Sequence, residues 1–412
     1  MKFSQTFVRT GKEPPAHEVA KNARLLAQAG YIHKEMAGAY AFLPLGFMVL
    51  DNIVNIIREE MNRLGGEEMQ LTALQRPDVW EATGRWPDNE LEVWFKSQLL
   101  AGGEVGLAAT HEEPLTALMR EYIHSYRDLP AYPYQFQTKF RNELRAKSGI
   151  MRGREFLMKD LYSFSASWQQ HGEFYEKAKQ AYTYVFDRLG IGDDTFYTYA
   201  DGGSFSQFSH EYQTLTEAGE DTIYLSREGG FAINEEVYTD DVLGELGVTR
   251  DDMEEVTAAE VANIFPLGTK FSDSLDLTFT DQDGAEQPVI MGSYGIGPGR
   301  VMGVLVEKFS DEKGIVWPQA VAPAQVHLAA LKGGEAQADS VYAQLQENGI
   351  RVLYDDRDES PGSKLADADL MGLPTRLVCS QKTAQSEQVE VTHRASGQTE
   401  MLPVAQVTKK FG

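Results

Sequence analysis

The sequence is poor in cysteine and in basic residues, and each shortage limits what the protein can be. A single cysteine, Cys379, occurs among 412 residues, so the chain can form neither an intrachain disulfide nor a cysteine-based zinc cluster. Lysine and arginine number 38 against 62 aspartates and glutamates, which gives a net charge of −24. Such a chain is not expected to bind nucleic acid through its overall charge, and would need a local basic surface to do so.

The sequence also lacks an apolar run long enough to cross a bilayer, and its start lacks the apolar core of a secretory signal. We therefore expect a cytoplasmic protein with no membrane contact. Hydrophobic residues make up 42% of the chain, which is ordinary for a globular protein, and 412 residues are too many for one typical domain. Two or three domains are expected.

The spacing of apolar residues predicts several elements in the first three quarters of the chain. Three segments have helical spacing and are predicted to be helices: 17–29, 50–64 and 174–189. Residues 69–73 alternate as a strand does, and Gly190 is a stop signal for the last helix. The segment 235–260 is acidic and poor in aromatics, which predicts a surface excursion rather than core.

Beyond Pro323 the pattern changes to strands that alternate with helices. The runs VHLAAL, RVLYDD and TRLVCS are predicted strands, and Ala336–Gln346 and LADADLMG are predicted helices. This alternation is typical of a small α/β unit with a largely parallel sheet. We place the boundary near Ala322, which divides the chain into domains 1–322 and 323–412.

The stretch Lys139–Phe164, KFRNELRAKSGIMRGREFLMKDLYSF, is predicted to form a strand, a loop and a strand. Arg141 and Glu143 would share one face of the first strand, and Phe156 and Asp160 would lie on the second. A guanidinium suits carboxylate or phosphate oxygens, a carboxylate can accept from an adenine amino group, and a ring can stack on a base. These side chains indicate a nucleotide site. A β-hairpin with a solvated charged face explains FRNE alone equally well.

The run MGSYGIGPGR, Met291–Arg300, is a second candidate. Alternating glycines, Gly295 and Gly297 among them, leave a strand without side chains where a flat ligand can lie on the backbone. Arg300 follows at the start of an apolar helix, where a guanidinium and a helix N-terminus both favour phosphate. Taken alone, three such glycines are also common in turns, and their spacing is not that of a dinucleotide fingerprint.

The run AATHEEP is the third candidate. Thr110 and Glu112 can face the same way, and a carboxylate beside a hydroxyl suits an ammonium group. Alternatively, Thr110 and Glu113 match a capping box ahead of a helix, and both interpretations can hold together. His111, and His210 in FSHEY, are residues of a kind that is more often structural than catalytic.

The order of these pieces resembles that of a known family. FRNE with GREFLMKD resembles motif 2 of the class II aminoacyl-tRNA synthetases, GIGPGR resembles motif 3, and residues 50–75 lie where motif 1, the dimer-interface helix and strand, is expected. LPLG, VWEATGRW, ATHEE, SHEY, MGSYGIG, GIVWPQAVAP and DDRDESPG are similar to the prolyl-tRNA synthetases of the bacterial type. This resemblance covers nearly the whole chain. It implies an α+β fold, in which a class II catalytic domain with an antiparallel sheet flanked by helices precedes a small α/β anticodon-binding domain.

The resemblance implies a homodimeric enzyme that activates L-proline with ATP and transfers the prolyl group to the 3′ end of tRNA(Pro). ATP and the Mg²⁺ that accompanies it are the implied cofactors, and no zinc is predicted. The implied ATP-binding residues are Arg141, Glu143, Arg152, Phe156 and Arg300, of which Arg141 and Arg300 are implied to be catalytic. The implied proline-binding residues are Thr110, Glu112, Arg141, Met158, His210, Ser293 and Gly295.

By the same resemblance each nucleotide-site residue has a role. Arg141 would hold the substrate carboxylate and the α-phosphate, and would stabilise the charge that develops between them. Glu143 and Phe156 would bind and stack adenine. Arg152 would lie on the outer phosphates and Arg300 would clamp the γ-phosphate. The loop between the two hairpin strands would reach the tRNA acceptor end.

The sequence departs from the family in places. The bacterial enzymes usually carry a large editing insertion between motifs 2 and 3, whereas residues 232–264 are too few for a domain. We therefore predict no editing of mischarged alanine within this chain, which leaves a separate trans-editing protein as one possible partner. Thr72 replaces the proline of motif 1, residues 206–208 replace a glycine-rich run, and Ser360 stands where arginine is common.

Three functions compete on this evidence. The first is the prolyl enzyme, and the second is a ligase of the same fold for another amino acid. A threonine enzyme would need a zinc site, which a single cysteine disfavours, and a serine enzyme would carry a long N-terminal coiled coil, which is not present. The third is a non-catalytic paralogue, which typically loses the arginine of motif 2 or motif 3. Arg141 and Arg300 are both present.

Overall fold

A computed structural model describes residues 1–16, 18–144, 146–203 and 207–411. Contacts divide the chain into two compact units: Met1–Met36, Tyr40–Ile53 and Leu305–Gly412 form one, and Ala37–Ala39 and Val54–Val304 form the other. This division does not run at Ala322, and the domains 1–322 and 323–412 stay a prediction. His17, the predicted start of the first helix, and Ser206, ahead of His210, lie outside the described residues.

The described residues form twelve α-helices: α1 Lys21–Gln28, α2 Pro44–Arg63, α3 Pro77–Ala82, α4 Glu112–Met119, α5 Trp168–Leu189, α6 Asp240–Leu246, α7 Lys270–Ser274, α8 Pro298–Lys308, α9 Glu335–Glu347, α10 Pro361–Met371, α11 Gln381–Gln385 and α12 Val404–Phe411. Short 3₁₀ helices cover Phe3–Gln5, Tyr126–Asp128, Gly192–Asp194, Glu235–Val237 and Arg250–Asp252. None of the helices in this described part is both long enough and apolar enough to cross a membrane.

The strands of the described residues are β1 Ile32–Met36, β2 Ala39–Phe42, β3 Glu67–Glu68, β4 Leu74–Gln75, β5 Phe95–Gln98, β6 Glu104–Leu107, β7 Pro133–Phe140, β8 Glu155–Ser165, β9 Thr195–Asp201, β10 Phe208–Leu215, β11 Asp221–Ser226, β12 Phe231–Asn234, β13 Glu254–Gly268, β14 Thr278–Thr280, β15 Glu286–Pro288, β16 Ile290–Ile296, β17 Ser310–Asp311, β18 Gly314–Ile315, β19 Val326–Ala330, β20 Val352–Asp355, β21 Thr375–Cys379, β22 Gln388–His393 and β23 Thr399–Pro403.

The larger unit is built on one sheet, which has nine strands among the described residues in the order β10-β9-β12-β11-β13-β16-β8-β7-β3. Neighbouring strands run antiparallel except in the pairs β12–β9 and β3–β7. β16 is buried along its whole length, because α5 packs on it and an apolar cluster including Met291 and Phe271 surrounds it. The predicted antiparallel sheet flanked by helices is confirmed.

Helix α5 shows how local sequence sets an element that supports this sheet. The side chain of Ser167 accepts a hydrogen bond from the backbone of Gln170 and caps the first turn. Phe174, Tyr182 and the other apolar residues of the predicted stripe are buried, which confirms the helix, although it begins earlier, at Trp168. Gly190 ends it with φ of +82°, a left-handed conformation that favours glycine.

The predictions near motif 1 are only partly right. α2 is longer than the predicted helix 50–64 and begins at Pro44, while α1 begins at Lys21 rather than at residue 17. The predicted strand 69–73 is wrong, since only the residue pairs on either side of it are strands. At Leu71, side chains of β7 bond the backbone in place of a neighbouring strand. Gln135 accepts a hydrogen bond from the backbone N–H of Leu71 at 2.9 Å, and Gln137 donates to the Leu71 carbonyl.

The hairpin is present as β7 and β8, but Arg141 and Glu143 do not lie on its first strand, so that prediction is wrong. Both residues follow the end of β7. The backbone N–H of Arg141 still donates to the Arg154 carbonyl at 2.8 Å, whereas that of Asn142 donates to the Val93 carbonyl at 2.9 Å. The two side chains are therefore placed by a loop rather than by strand alternation.

The predicted capping box of Thr110 and Glu113 is also wrong. α4 begins at Glu112, and its N-cap residue, His111, makes no side-chain capping bond. The hydroxyl of Thr110 donates instead to Glu112 Oε2 at 2.5 Å. The Thr110 hydroxyl is therefore bonded to the Glu112 side chain, and no side chain of the N-cap residue caps the first turn of α4.

The acidic segment 235–260 is a surface excursion only in its first part. α6 and two 3₁₀ turns occupy residues 235–252, but from Glu254 the chain forms β13, a central strand of the large sheet. Ala258 and Ala259 are buried there. Glu254 and Glu255 are exposed, as predicted, and the prediction is wrong from Ala258, because small apolar residues there face the core.

The five elements predicted beyond Pro323 are confirmed as β19, α9, β20, α10 and β21. In the described residues they belong to a five-stranded sheet of order β20-β19-β21-β22-β23. The pairs β19–β20 and β19–β21 are parallel, whereas β22 and β23 are antiparallel additions that the sequence reading missed. The core of this sheet includes Leu328, Val341, Tyr354 and Val407.

Two glycines of α5 provide a stability test. Gly190→Ala should lower the free energy of unfolding by about 1–2 kcal/mol, because an alanine strains the left-handed backbone. Gly172→Ala, inside the same helix where a Cβ meets nothing within 4 Å, should raise it by up to about 1 kcal/mol. Urea midpoints measured by circular dichroism test both, and shifts in the same direction for the two variants would contradict this account.

Candidate active site

A cleft lies over the middle of the large sheet, where the loop after β7 meets β8, β13, β16 and the first turn of α8. Its lining residues are Arg141, Glu143, Ile150, Met151, Arg152, Gly153, Phe156, Met158, Glu260, Val261, Ala262, Asn263, Gly295, Gly297 and Arg300. An adjoining cleft shares its arginines and adds Glu220, Asp221 and Ala259. The structure therefore brings together Arg141, Glu143, Arg152, Phe156, Met158, Gly295 and Arg300.

Arg141 lies between the cleft and the segment that leads into Thr110. Its Nε donates to the carbonyl of Ala109 at 3.3 Å, and its guanidinium carbon lies 5.3 Å from the centre of the Phe156 ring on β8. Burial lowers the pKa of Arg141, and the nearby cation Arg300 acts in the same direction. Arg141 remains a cation in the neutral range, since its ordinary pKa is far above it.

Arg300 is held in place from two sides of the cleft. Its Nε donates to the carbonyl of Met151 at 2.7 Å, and its Nη1 donates to the Glu260 carbonyl at 2.8 Å and to Glu260 Oε2 at 3.1 Å. The helix start that carries Arg300 follows directly from the buried strand β16. The predicted pairing of a guanidinium with a helix N-terminus at a cleft is present.

Arg152 is held by two carboxylates. Its Nη2 donates to Glu143 Oε2 at 2.9 Å, and its Nη1 donates to Glu220 Oε2 at 3.1 Å. These hydrogen bonds raise the pKa of Arg152. Glu220 also accepts from the hydroxyl of Ser148 at 2.6 Å, so it ties the loop between β7 and β8 to the start of β11.

Carboxyl groups that the motifs did not indicate gather beside the arginines. Glu211 on β10 and Asp221 on β11 both accept from the amide of Gln213 at 2.8 Å. Burial, and then the charge of Glu260, raise the pKa of Glu211 to about 8. Burial also raises the pKa of Asp221. The sequence reading missed Glu260 because it assigned residues up to 260 to the surface, and the alternation through VANIF after it is the signal that indicates a strand.

Two side chains of the protein approach Gly295 closely. A Cβ added there would lie 2.4 Å from Cε of Met158 and 2.7 Å from Oδ1 of Asn263. The space above this glycine in the described structure is therefore shared with two side chains that line the same cleft. Met158 and Gly295, both predicted for the proline pocket, are neighbours.

Thr110 and Glu112 lie at the other side of Arg141, outside the lining of the two clefts. Both are near the buried hydroxyl of Tyr162 on β8, whose pKa is raised well above its ordinary value by burial and then by the charge of Glu112. The Glu112 side chain is only 13% exposed. Its carboxylate is thus a partly desolvated acceptor, which suits a cationic amine better than a neutral group.

A network of buried polar side chains lies next to Thr110 and Glu112 in the chain and in β7 and β8. Lys139 Nζ lies 2.5 Å from Nδ1 of His111 and 2.8 Å from Oδ1 of Asp160, the β8 residue predicted on the second hairpin strand. Nε2 of His111 is 3.1 Å from the Thr72 carbonyl. Burial, and then Lys139, lower the pKa of His111 to about 4, so the imidazole is neutral, accepts from Lys139 and donates to Thr72.

The structure places His210 and Ser293 away from the lining of both clefts. Nδ1 of His210 is 2.5 Å from the hydroxyl of Tyr175, and its ring stacks on Tyr197 with centroids 4.5 Å apart. Burial lowers the pKa of His210 to about 4, so it is neutral. Ser293 is buried on β16, where it pairs with Tyr162 of β8.

Two family models match the chain. The tRNA synthetase class II core domain (G, H, P, S and T) matches residues 94–309, and the anticodon binding domain matches residues 320–412. The first match contains every predicted site residue, from Thr110 to Arg300. Together the two models cover most of the chain in the order that the motifs indicated.

Curated relatives resemble the chain from end to end. A "Proline--tRNA ligase" of Afipia carboxidovorans is 36% identical over 447 aligned positions, which cover 100% of this chain and 99% of the relative. Another, of Methylobacterium sp. (strain 4-46), is 38% identical over 436 positions that cover 98% of this chain and 97% of the relative. Because these alignments span both partners almost completely, no large additional domain separates the chain from them.

Solved structures share the fold. A prolyl-tRNA synthetase of Cryptosporidium parvum, complexed with halofuginone and AMPPNP, covers 94% of this chain and 75% of its own with a TM-score of 0.78 at 17% identity. That of Giardia lamblia, in complex with prolyl-adenylate, covers 93% of this chain and 73% of its own with a TM-score of 0.77 at 19% identity. With the class II core and the full-length relatives, these observations show that the chain belongs to the proline–tRNA ligase family.

Proposed function

We propose that this protein activates L-proline with ATP to prolyl-adenylate and pyrophosphate, and then transfers the prolyl group to the 3′ end of tRNA(Pro). The observation that carries the proposal is the position of Arg141. It touches Ala109, next to Thr110, on one side and lies beside Phe156 and Arg300 on the other. An amino-acid carboxylate and an α-phosphate that meet at this guanidinium have the arrangement that adenylate formation needs.

In the nucleotide half, Phe156 stacks on adenine and Glu143 accepts from the adenine amino group. Arg152 binds the outer phosphates and Arg300 clamps the γ-phosphate. Each of these arginines already holds a carboxylate, Glu143 or Glu260. Phosphate oxygens replace those carboxylates as bidentate partners, so ATP binding exchanges one set of ion pairs for another.

In the proline half, the cationic imino group of proline donates to Glu112 and to the hydroxyl of Thr110, whose 2.5 Å contact supports a shared site. Met158 and Gly295 limit one side of the ring pocket, which their close approach supports. His210 and Ser293 act from a second layer, through Tyr175 and Tyr162, rather than by lining the cleft. This arrangement gives a small pocket whose polar end faces the substrate amine.

The chemistry needs positioning and charge stabilisation rather than a protein nucleophile. A carboxylate oxygen of proline attacks the α-phosphorus of ATP, the bond to the bridging oxygen breaks, and pyrophosphate leaves. Arg141 stabilises the charge that spreads over the α-phosphate oxygens. In the second step a ribose hydroxyl of the tRNA terminus attacks the proline carbonyl and AMP leaves. Holding the reactants together supplies much of the rate.

Magnesium, when bound with ATP, neutralises phosphate charge. The described residues contain no group of three or more acidic, histidine or cysteine ligands that could hold a metal by itself. Mg²⁺ at nucleotide sites needs only one or two carboxylates, with phosphates and waters completing its octahedron. Glu260 and Asp221 line the cleft beside the arginines and fit that requirement. No zinc is proposed.

We also propose how the chain meets its macromolecular partners. Residues 323–412 bind the anticodon, residues 1–322 form the catalytic domain, and the matched family models support this division. Ser360, which stands where arginine is common, caps α10 by accepting from the backbone of Ser363, so the tRNA contact at that position is lost. The loop Leu144–Gly153, of which Arg145 lies outside the described residues, reaches the acceptor end.

Three further proposals concern the cellular setting. The protein is cytoplasmic, it forms a homodimer through α2 and the segment that follows, and mischarged tRNA is cleared by a separate trans-editing protein. The compact segment between β12 and β13, which holds α6 and two 3₁₀ turns, supports the absence of an editing domain. A trans-editing protein is then one of three alternatives, beside tolerance of mischarging and discrimination by the pocket. A pocket for proline discriminates weakly against the smaller alanine.

The first functional prediction concerns Arg141. Proline-dependent exchange of pyrophosphate into ATP should be observed for the wild type, and Arg141→Ala should lower its rate by roughly 100-fold or more, because one preorganised charge contact in a desolvated site contributes that much. Arg227→Ala, whose side chain is 59% exposed and pairs with Glu254, is the matched control and should exchange normally. Near-normal exchange by a folded Arg141→Ala variant would refute the role of Arg141. Exchange driven by threonine, alanine or cysteine but not by proline would refute the proposed substrate.

The second functional prediction concerns editing. Purified protein incubated with alanyl-tRNA(Pro) should release alanine no faster than buffer does, because no editing domain is present between β12 and β13. A prolyl-tRNA synthetase that contains the editing insertion is the positive control. Rapid deacylation by this chain would show that it hydrolyses mischarged tRNA at another site.

A further inference from the structure

Arg85, in the VWEATGRW segment, is an arginine that none of the roles above uses. Its guanidinium carbon lies 5.2 Å from the ring of Trp80 and 5.6 Å from that of Phe271, and its side chain is only 22% exposed. The backbone N–H of Arg85 donates to the Trp80 carbonyl at 2.9 Å, and its carbonyl accepts from the indole of Trp94 at 3.1 Å. Both the backbone and the side chain of Arg85 are therefore fixed.

The guanidinium is anchored by a carboxylate that solvent does not reach. Nη1 of Arg85 donates to Oε1 of Glu113 at 2.9 Å, and Glu113 is fully buried. The same oxygen accepts from the hydroxyl of Thr83 at 2.9 Å. Burial raises the pKa of Glu113 to about 7 while the charge of Arg85 acts against that shift, so the geometry of the pair and the ionisation of Glu113 depend on Arg85.

The same nitrogen of Arg85 also faces the neighbouring carboxylate. Nη1 lies 3.9 Å from Oε2 of Glu112, the oxygen that accepts from Thr110 at 2.5 Å. Arg85 thus stands between one carboxylate that anchors it and another at the substrate side of α4. Both carboxylates come from the first turn of that helix, so their spacing is set by the backbone.

We propose that Arg85 is a positioning residue for proline binding. Held by Glu113, it fixes the carboxylate of Glu112 through Oε2, which leaves Oε1 directed at the imino group of the substrate. This inference rests on the proposed function, because it requires that Glu112 binds proline. Arginine suits the position since its planar guanidinium lies against Trp80 while it reaches two carboxylates, whereas a lysine offers one compact charge.

The test varies proline and ATP separately in pyrophosphate exchange. Arg85→Met should raise KM for proline by about tenfold or more, because a misplaced first contact is costly, and should leave KM for ATP unchanged. Arg85→Lys should fall between Arg85→Met and the wild type. Arg76→Met is the matched control, since that side chain is 69% exposed and pairs with Asp78, and it should leave both KM values unchanged.

A second variant separates positioning from folding. Arg85→Met leaves Glu113 buried without its cation, whereas Arg85→Met with Glu113→Gln removes that charge and keeps the hydrogen bond from Thr83. If Arg85 positions Glu112, the double variant recovers thermal stability but keeps the high KM for proline. If the double variant binds proline as the wild type does, Arg85 serves only to neutralise Glu113 and the proposal is wrong.

A mutant cycle tests whether Arg85 acts through Glu112. In the Glu112→Gln background, Arg85→Met should change KM for proline by less than about twofold, because the carboxylate that it positions is gone. Independent, multiplying effects would overturn the proposal. A wild type that lacks proline-dependent exchange would refute the proposed function itself, whereas a wild type with normal exchange beside an unaffected Arg85→Met variant would refute only the role of Arg85.

Discussion

One guanidinium, that of Arg141, joins two parts of the candidate active site and is fixed where the β7 strand ends. The contact with the Ala109 carbonyl joins it to the segment of Thr110 and Glu112, and its approach to the Phe156 ring joins it to β8. The large sheet provides the rigid floor, because β16 is buried along its whole length. The Thr110 and Glu112 segment lies on one side of this cation, and the cleft that contains Phe156, Arg152 and Arg300 lies on the other. A shift of the β7 end would therefore displace both substrates relative to each other.

Carboxylates hold the cations of the site in place before any substrate arrives. Glu143 and Glu220 hold Arg152, Glu260 holds Arg300, and Glu113 holds Arg85. These carboxylates balance the positive charge that three neighbouring arginines would otherwise concentrate in one region. These carboxylates also keep each guanidinium group in a defined orientation. Phosphates then enter a site whose donors are already directed inward, which lowers the cost of ordering them on binding.

The sequence predicts best what depends on neighbouring residues. The stripe of α5, the strand and helix around Gly295 and Arg300, and the alternating elements beyond Pro323 follow from local periodicity, and the structure has them. It predicts less well what depends on partners far along the chain. The sequence predicts Arg141 and Glu143 on a strand, but β7 ends at Phe140, and Asn142 donates to Val93, a residue far along the chain. Glu260 was assigned to the surface because acidic residues precede it, although β13 lies in the middle of the sheet. Arg85 lies in the VWEATGRW run, but the sequence does not indicate its contacts, because the two carboxylates near it, those of Glu112 and Glu113, belong to another segment.

The buried carboxyl of Glu211 lies near Glu260, which lines the cleft. Burial and then the charge of Glu260 raise the pKa of Glu211 to about 8, and burial raises the pKa of Asp221 as well. The formal net charge of −24 counts every acid as ionised. Raised pKa values at Glu211 and Asp221 make that count an upper limit on the negative charge beside the arginines. An anion at this cleft would therefore be opposed by less negative charge than the composition of the chain suggests.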